Sequence, residues 1–383
     1  MKYSKTLGAV CTALFAFICA GGIAAQNVVS HGTSTTAYVY VSSNNNNTSQ
    51  ISAYAATLTG YLIPVPGSPF TTSGVRYMAL NNHWLFGTDM VNIYSFSIAS
   101  NGAIAQVGSV NAQQYNNPAG SGGPVTLFLD HTGATLYDGD IYGYQGTNTY
   151  QYWTVDQQNG SLTFLGLNPS ASIQFDQPLS FIGNNQYAYG ANCYHFNSPD
   201  IFGFQRASNG TLTLLDINPP IPPAPEGEYC PFFAAADPTN NLAISMFPAV
   251  DGTQAGPPQI ADYAADSDGN LTTQSTANNM PVTSVSSVNT LAMAPSGQLL
   301  AVGGSAGLQV LHWNGANQAT LDTPLLTSDN ITQAFWDDAG HLYAVSPSAN
   351  HLHVFMVTPT RYSEAPGSPY TISGVENLIV LPK

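Results

Sequence analysis

The stretch that decides the fold is Asp130-His-Thr-Gly-Ala-Thr-Leu-Tyr137, followed by Tyr150-Gln-Tyr-Trp-Thr-Val155 and Asn159-Gly-Ser-Leu-Thr-Phe164. The first segment places a tight turn before a strand of β-branched and aromatic residues. The second carries the alternating apolar residues of a half-buried strand. In the third, Asn-Gly supplies the positive φ that a two-residue hairpin needs. Together they predict successive antiparallel strands joined by short turns.

The same pattern recurs along the whole chain. Its outer hairpin returns as Asn101-Gly102, Asn209-Gly210 and Asp268-Gly269. The strand that follows the turn begins seven times, and the six intervals between these starts cover 304 residues, or about 51 residues each. The seven strand starts are Tyr38, Trp84, Leu136, Tyr187, Leu242, Leu299 and Leu342.

Seven repeats of this length, each with four short strands and no helical period, predict an all-β fold, a seven-bladed β-propeller of four-stranded blades. The first blade lacks an inner strand, whereas 375–381 is a spare strand at the C-terminus. We therefore expect the C-terminal strand to complete blade one, which would hide the exposed strand edges. The motif Pro66-Gly-Ser-Pro69 recurs as Pro366-Gly-Ser-Pro369 and marks the same strand crossing in blades one and seven.

The N-terminus has the features of a secretory signal peptide. Lys2 and Lys5 precede an apolar core, and small residues before Gln26 supply a cleavage site. The sequence thus predicts a signal peptide over 1–25, a single propeller domain over 26–383, and a periplasmic or extracellular location. A lipid anchor at Cys19 is the alternative. No apolar stretch is long enough to predict a membrane span.

Composition excludes several classes of function. Charged residues are only 7% of the chain and hydrophobic residues 44%, which is typical of a globular protein with a polar but weakly ionised surface. Removal of 1–25 would leave four of the 6 basic residues against all 21 acidic ones, a formal charge of −17. Because phosphate recognition needs several Lys or Arg, nucleic acid is excluded as a partner, and doubly charged phosphorylated substrates are disfavoured.

Two cysteines, Cys193 and Cys230, would remain after cleavage. In a propeller, the loops from second to third strands and from each outer strand to the next inner strand share one face, here called the top. Both cysteines fall in such loops, on neighbouring blades. Since export permits pairing, the hypothesis is a Cys193–Cys230 disulfide; two buried, unpaired cysteines are the alternative.

The candidate site lies at the top mouth of the central channel. Arg76 enters an inner strand there, and the parallel motif places Glu376 on the adjacent blade, so the two side chains are expected to pair. Arg206 and Arg361 lie near outer-strand turns, where a solvated role is expected. His195, beside Cys193, is the histidine best placed for acid/base chemistry. His351 and His353 share one side of a strand, but two ligands alone do not specify a metal.

Acidic residues are expected to collect on the top face. Clustered carboxylates suit calcium, so a calcium ion at the channel mouth is allowed, although no cofactor is required. The alternative is that these acids lie in the loops only because the protein is acidic, and bind no metal. The residues concerned are Asp89, Asp138, Asp140, Asp176, Glu226, Glu228, Asp329 and Glu376.

The repeat unit and its Asn-Gly-x-Leu-Thr hairpin resemble the lactonase-like seven-bladed propellers, the family of 6-phosphogluconolactonases and carboxymuconate cyclases. The resemblance covers Thr36 to Lys383 and implies hydrolysis of a lactone. Family members usually carry a Gly-Pro-His-x-His sequence entering an inner strand, and arginines around the channel. Here the comparable segment is Gly122-Gly-Pro-Val-Thr126, which has no histidine.

Two functions follow from these observations. The first is a secreted, monomeric lactone hydrolase in which a top-face carboxylate, with Glu376 as the candidate, activates water, His195 assists proton transfer and Arg76 polarises the ring carbonyl. The alternative is a non-catalytic secreted propeller that binds a glycan or a protein through top-face loops, such as Ser42 to Ser49 with its run of asparagines.

Overall fold

The computed structural model describes residues 34–45, 48–115, 123–140, 148–170, 177–194 and 198–383. These residues form seven antiparallel sheets arranged as the blades of a propeller, each built on four main strands. One short 3-10 helix, Ala112–Tyr115, interrupts the strands. The predicted seven-bladed β-propeller is confirmed. Within the described ranges, no helix is long and apolar enough to cross a membrane.

The described strands begin with the second strand of blade one, pass through blades two to seven in order, and end with the inner strand of blade one. Three short strands, Phe70–Thr72, Thr253–Gln254 and Tyr370–Thr371, lie off the main order of blades one, five and seven. The strands are β1 Thr35–Asn45, β2 Thr48–Thr57, β3 Leu62–Pro64, β4 Phe70–Thr72, β5 Tyr77–Leu80, β6 Trp84–Thr88, β7 Asn92–Ile98, β8 Ile104–Asn111, β9 Pro124–Leu129, β10 Thr135–Asp140, β11 Asn148–Val155, β12 Leu162–Ser170, β13 Ser180–Phe181, β14 Tyr187–Tyr194, β15 Ser198–Arg206, β16 Leu212–Leu214, β17 Glu228–Ala236, β18 Asn241–Val250, β19 Thr253–Gln254, β20 Gln259–Ala265, β21 Leu271–Thr273, β22 Ser287–Met293, β23 Leu299–Ser305, β24 Gly307–Asn314, β25 Asn317–Leu321, β26 Gln333–Trp336, β27 His341–Ser346, β28 His351–Thr358, β29 Arg361–Glu364, β30 Tyr370–Thr371 and β31 Val375–Pro382.

The C-terminal strand closes the ring. β31 pairs with β1 in a continuous antiparallel register from Ala37 opposite Pro382 to Ser42 opposite Asn377. The Lys383 amide extends the ladder by donating to the Thr36 carbonyl at 2.9 Å. The expectation that the spare strand completes blade one is confirmed.

One expected loop is instead part of a sheet. Ser42 to Asn45 continue β1, and Asn44 and Asn45 pair with Ser49 and Thr48 of β2. The prediction of a loop from Ser42 to Ser49 is therefore wrong over its described residues. The polar run keeps strand geometry because its backbone groups are paired in the ladder, so the side chains need not be apolar.

The repeated outer hairpins join neighbouring blades. Tyr40 of blade one donates its hydroxyl to the Gly102 carbonyl of blade two at 3.0 Å, and Tyr137 donates to the Gly210 carbonyl in the same way at 2.7 Å. Gly102 has φ +84, and a Cβ there would overlap the Tyr38 ring. The glycine of the Asn-Gly motif thus satisfies two demands at once: the backbone conformation of the turn and close packing against the preceding blade.

Buried acids link blades on the opposite face, called the bottom. Asp130 of blade three accepts from Arg206 Nε of blade four at 2.7 Å and also contacts Nη2. The Arg206 side chain is 9% exposed and that of Asp130 is fully buried, so the expected solvated role of Arg206 is wrong. The other oxygen of Asp130, Oδ1, accepts from the amide and the hydroxyl of Thr132, and Arg206 supplies the positive charge that offsets the desolvation of the carboxylate. Arg361 remains exposed.

The hairpin glycines give the first testable prediction. Gly102→Ala should lower the free energy of unfolding by about 2 kcal/mol or more, because it combines a left-handed backbone with overlap on the Tyr38 ring. Gly108→Ala, in β8 of the same blade, is the matched control, since a Cβ there meets no atom within 4 Å. Urea unfolding of both variants would measure the difference. Equal stability of the two variants would contradict this account.

A buried carboxyl in blade five gives a second prediction. Asp262 is 4% exposed, its Oδ1 has no hydrogen-bond partner, and its Oδ2 accepts only a long bond of 3.4 Å from the Ala319 amide. Burial raises the pKa of Asp262 to about 7. In the unfolded chain the pKa of an aspartate is about 4. Between about pH 4 and pH 7 the folded state therefore binds more protons than the unfolded state, so the contribution of Asp262 to the free energy of unfolding falls as pH rises.

Asp262→Asn should remove this dependence. The stability advantage of the variant over the wild type should grow with pH from about 4 to about 7, by about 1.4 kcal/mol per unit at most, and then stay constant. Urea unfolding across this range measures it, with the exposed Asp268→Asn of the same blade as control. A difference in unfolding free energy between the variant and the wild type that does not change with pH would show that Asp262 ionises normally.

Candidate functional site

The inner strands surround a central channel. Its cavity has a volume of about 700 Å³ and is lined from six of the seven blades. Aromatic, aliphatic, hydroxyl and amide groups dominate its wall, and no described residue of this lining carries a charge. The polar and aromatic side chains of the lining are Tyr77, Thr126, Gln177, Ser180, Phe232, Phe233, Asn289, Thr290, Thr332, Gln333, Phe335 and Trp336.

Two amides of the wall are already engaged by the protein. The Asn289 side chain donates to Asn330 Oδ1 at 3.0 Å and to the Ile331 carbonyl at 2.9 Å. Gln333 Oε1 accepts from the Leu378 amide at 2.8 Å. By contrast, Thr332 Oγ1 is buried and has no partner within the protein.

Arg76 and Glu376 meet at the top of the channel, beside Tyr77. Arg76 Nε lies 4.0 Å from Glu376 Oε2, and the side chains are 48% and 30% exposed. The Arg76 backbone is fixed on both sides, because its amide donates to the Thr88 carbonyl and its carbonyl accepts from Ser42 Oγ, each at 2.8 Å. The structure thus brings together the pair that the two Ser-Gly-Val motifs predict.

The Glu376 carboxylate is poorly compensated. Its Oε2 is buried and makes no hydrogen bond, and Arg76 lies beyond hydrogen-bond distance. Burial raises the pKa of Glu376 above its usual value, and the positive charge of Arg76 partly opposes the increase. A carboxyl with a raised pKa is better matched to proton transfer near neutral pH than an ordinary one.

The third predicted site residue cannot be placed. His195 lies outside the described residues, as does Asp176, and the side chain of Asp140 is not described. The role assigned to His195 stays a prediction.

Among the described residues, none of the other top-face acids belongs to the lining of the channel cavity. Asp89 accepts from Tyr94 and from the amides of its own turn, and Asp138 is fully buried against Trp153. In the described part of the chain, one group combines three or more potential metal ligands: Asp329, His351 and His353. It contains a single carboxylate, so it is not the oxygen-rich cluster that calcium prefers.

The predicted Cys193–Cys230 disulfide is confirmed, but both cysteines lie in strands and not in the loops in which the sequence placed them. Cys193 at the end of the second strand of blade four and Cys230 in the inner strand of blade five form a disulfide. Both are buried, with Phe232 and Phe247 packed around them. The bridge joins two neighbouring blades on the top face and fixes the segment that carries Phe232 and Phe233 into the channel wall.

Sequence reasoning missed the channel wall itself. Thr332, Asn289 and Phe232 carry no motif, and only their positions near the top of inner strands distinguish them. It also missed that Asp329 joins His351 and His353, because the acid comes from a loop 22 residues earlier. Alternation along β28 gives the two histidines, but the third ligand depends on tertiary structure.

Comparisons with known proteins support the fold. No protein-family model and no curated protein matches the sequence. Among solved structures, the chain is similar to the periplasmic gluconolactonase of Pseudomonas aeruginosa, with a TM-score of 0.65 and 13% identity over 91% of this chain and 99% of the other.

Two further structures are similar to the same extent. A protein from Lactobacillus plantarum has a TM-score of 0.62 and 13% identity over 91% of this chain and 100% of its own. A candidate 6-phosphogluconolactonase from Bacteroides fragilis has a TM-score of 0.61 and 11% identity over 91% and 99%. At this identity, the likeness establishes the lactonase-like propeller fold alone.

The electrostatics of the mouth can be tested directly. Arg76→Met should raise the pKa of Glu376 further, because it removes the opposing positive charge and leaves the burial. Titration of the Glu376 carboxyl by ¹³C NMR measures the change. Arg361→Met, which removes an exposed arginine at the start of the outer strand β29 of blade seven, should leave the titration unaltered. An unchanged Glu376 titration in Arg76→Met would show that the pair does not interact.

Proposed function

We propose that this protein hydrolyses an uncharged lactone at the top mouth of its channel. The observation that carries the proposal is the half-buried Glu376 carboxylate, with a raised pKa, facing Arg76 beside a cavity large enough for a sugar-sized ring. The gluconolactonase named among the similar structures has the same fold, which supports a lactone as the substrate class.

The reaction needs one base and one positive group. Glu376 would take a proton from a water molecule as its oxygen attacks the lactone carbonyl carbon. Arg76 would stabilise the negative charge that develops on the carbonyl oxygen. The ring C–O bond then breaks, the proton passes to the released alkoxide, and the product is a hydroxy acid. His195 is proposed to assist this last transfer.

The charge distribution favours a neutral substrate. Of the four basic residues in the described chain, Arg206 is buried at the bottom, Arg361 is exposed on an outer strand, and Lys383 lies over the Tyr38 ring at 4.9 Å. Arg76 is then the one cation at the channel, which is too little to balance a doubly charged phosphate. The uncharged lining supports the same conclusion.

The location is part of the proposal. The basic and apolar segments before Gln26 favour export, and the Cys193–Cys230 bridge suits an oxidising compartment. We therefore propose a secreted protein, periplasmic or extracellular, that acts as a monomer on a small extracellular lactone.

A non-catalytic binding protein is the second candidate. The observation that favours it is the uncharged wall of aromatic, amide and hydroxyl groups, which is the kind of surface that holds a neutral sugar. In that case Arg76 and Glu376 serve to join blades one and two. Saturable binding of a glycan without turnover would support this function.

The experiment is proton release by the purified protein on a panel of neutral sugar and aliphatic lactones. Glu376→Gln and Arg76→Ala should each reduce kcat by about 100-fold or more, because they remove the base and the oxyanion partner. In the wild type, kcat/KM should rise with pH as Glu376 loses its proton. Glu226→Gln, an exposed acid on the same face, is the control and should keep full activity.

Each outcome separates the two functions. Loss of activity in Glu376→Gln with an unchanged melting temperature would support hydrolysis at the mouth. Turnover that survives both substitutions would place the chemistry elsewhere. Absence of turnover on every lactone, together with glycan binding by calorimetry, would establish the binding protein instead.

A further inference from the structure

Blade seven holds a cluster of two histidines and one carboxylate outside the channel. Asp329 lies in the top-face loop that leads into β26, and His351 and His353 project from the same side of β28. Asp329 Oδ2 is 2.7 Å from His351 Nδ1 and 2.9 Å from His353 Nε2. One carboxylate oxygen thus faces a nitrogen of both rings.

A second carboxylate supports the more buried ring. His353 is almost completely buried, stacked on Phe355, and its other nitrogen, Nδ1, lies 3.4 Å from Glu364 Oε1. Glu364 in turn accepts from Ser368 Oγ at 2.9 Å. This chain of contacts fixes the orientation of the His353 ring and directs Nε2 toward Asp329. A carboxylate on the far nitrogen of a histidine is the usual support of a metal ligand.

The repeated strand crossing shows that the fold does not need this cluster. In blade seven, His351 pairs with Thr371 of β30; in blade one, Gln50 pairs with Thr71 of β4 in the same arrangement. In this alignment of the two blades, Ser52 of blade one occupies the position of His353. Pro64 occupies the position of Glu364, because Pro64 pairs with Tyr54 in blade one as Glu364 pairs with Phe355 in blade seven.

Blade one therefore builds the same strands and the same crossing without any ligand or supporting acid. In both blades, a serine of the repeated motif accepts a hydrogen bond of 2.9 Å from a backbone amide: Ser68 from Ala53 in blade one, and Ser368 from Val354 in blade seven. The histidines and the two carboxylates of blade seven are thus additions to a common scaffold, and packing alone does not account for them.

We propose that Asp329, His351 and His353 form a binding site for a divalent transition metal ion, with Glu364 as the supporting acid, and that zinc is the ion it prefers. Two imidazoles and one carboxylate are a ligand set typical of zinc and too rich in nitrogen for calcium or magnesium. The site shares no residue with the Arg76–Glu376 pair and does not depend on the proposed hydrolysis.

The geometry fits a tetrahedral ion. Zinc lies about 2.0–2.2 Å from its nitrogen and oxygen ligands, which places the ligand atoms about 3.3 Å apart. The three candidate atoms all lie within 4.8 Å of one another, and the carboxylate oxygen, now 2.7 and 2.9 Å from the two ring nitrogens, would move outward by about 0.5 Å to reach this spacing. His351 is 31% and Asp329 25% exposed, so an ion can enter from solvent, and a fourth coordination position remains for water.

Calorimetric titration of the full-length protein, purified without a histidine tag and freed of metal, tests the proposal with Zn²⁺ alone. We expect one zinc per chain. His351→Gln and Asp329→Asn should each weaken binding by about 100-fold or more, and Glu364→Gln by about 10-fold. Co²⁺ should give the intense visible absorption of a tetrahedral site, and His351→Gln should abolish it.

The control is His83→Gln, which removes an exposed histidine from the bottom of blade two and should leave zinc binding unchanged. His353→Gln changes a buried residue and can impair folding, so the partly exposed His351→Gln decides the outcome, with its melting temperature measured without metal. No zinc binding by the wild type, or equal binding by His351→Gln, would overturn the proposal. A loss of binding shared by His83→Gln would do so as well.

Discussion

The structure depends on one backbone ladder, the pairing of β31 with β1. Each blade buries its faces against two neighbours, so an open ring would leave two apolar faces and two strand edges in water. Closure also creates the candidate functional site, because the central channel exists only when all seven inner strands surround it. Glu376 is the second residue of the closing strand, so the residue proposed as the base belongs to the strand that completes the ring.

Joints between blades explain the features of the repeat that are easiest to see in the sequence. The tyrosines of second strands and the glycines of outer hairpins recur because each contacts the other across a joint. At the bottom, buried acids serve the same purpose with varied partners: Arg206 for Asp130, Trp313 for Asp237 and Thr36 for Asp337. The most recognisable residues of the repeat are therefore those that contact a neighbouring blade.

This difference determines what could be predicted from the sequence. Blade number, ring closure, the Cys193–Cys230 bridge and the meeting of Arg76 with Glu376 follow from strand order, which the repeat makes readable. The burial of Arg206 does not, since its partner Asp130 belongs to another blade and its position near a turn resembles that of the exposed Arg361. The residues of the channel wall could not be predicted either, because a small polar residue such as Thr332 belongs to no motif and lines the channel only through its position at the start of an inner strand.

The two ends of the propeller leave it side by side. β1 enters at Thr35 and β31 ends at Pro382, both on the bottom, whereas Arg76 and Glu376 lie at the top. A polypeptide or a solid support joined to Lys383 would therefore extend away from the channel mouth. The molecule can be tethered to a bead, an electrode or a second protein with its mouth directed toward solution, and every copy on such a surface would present the same face.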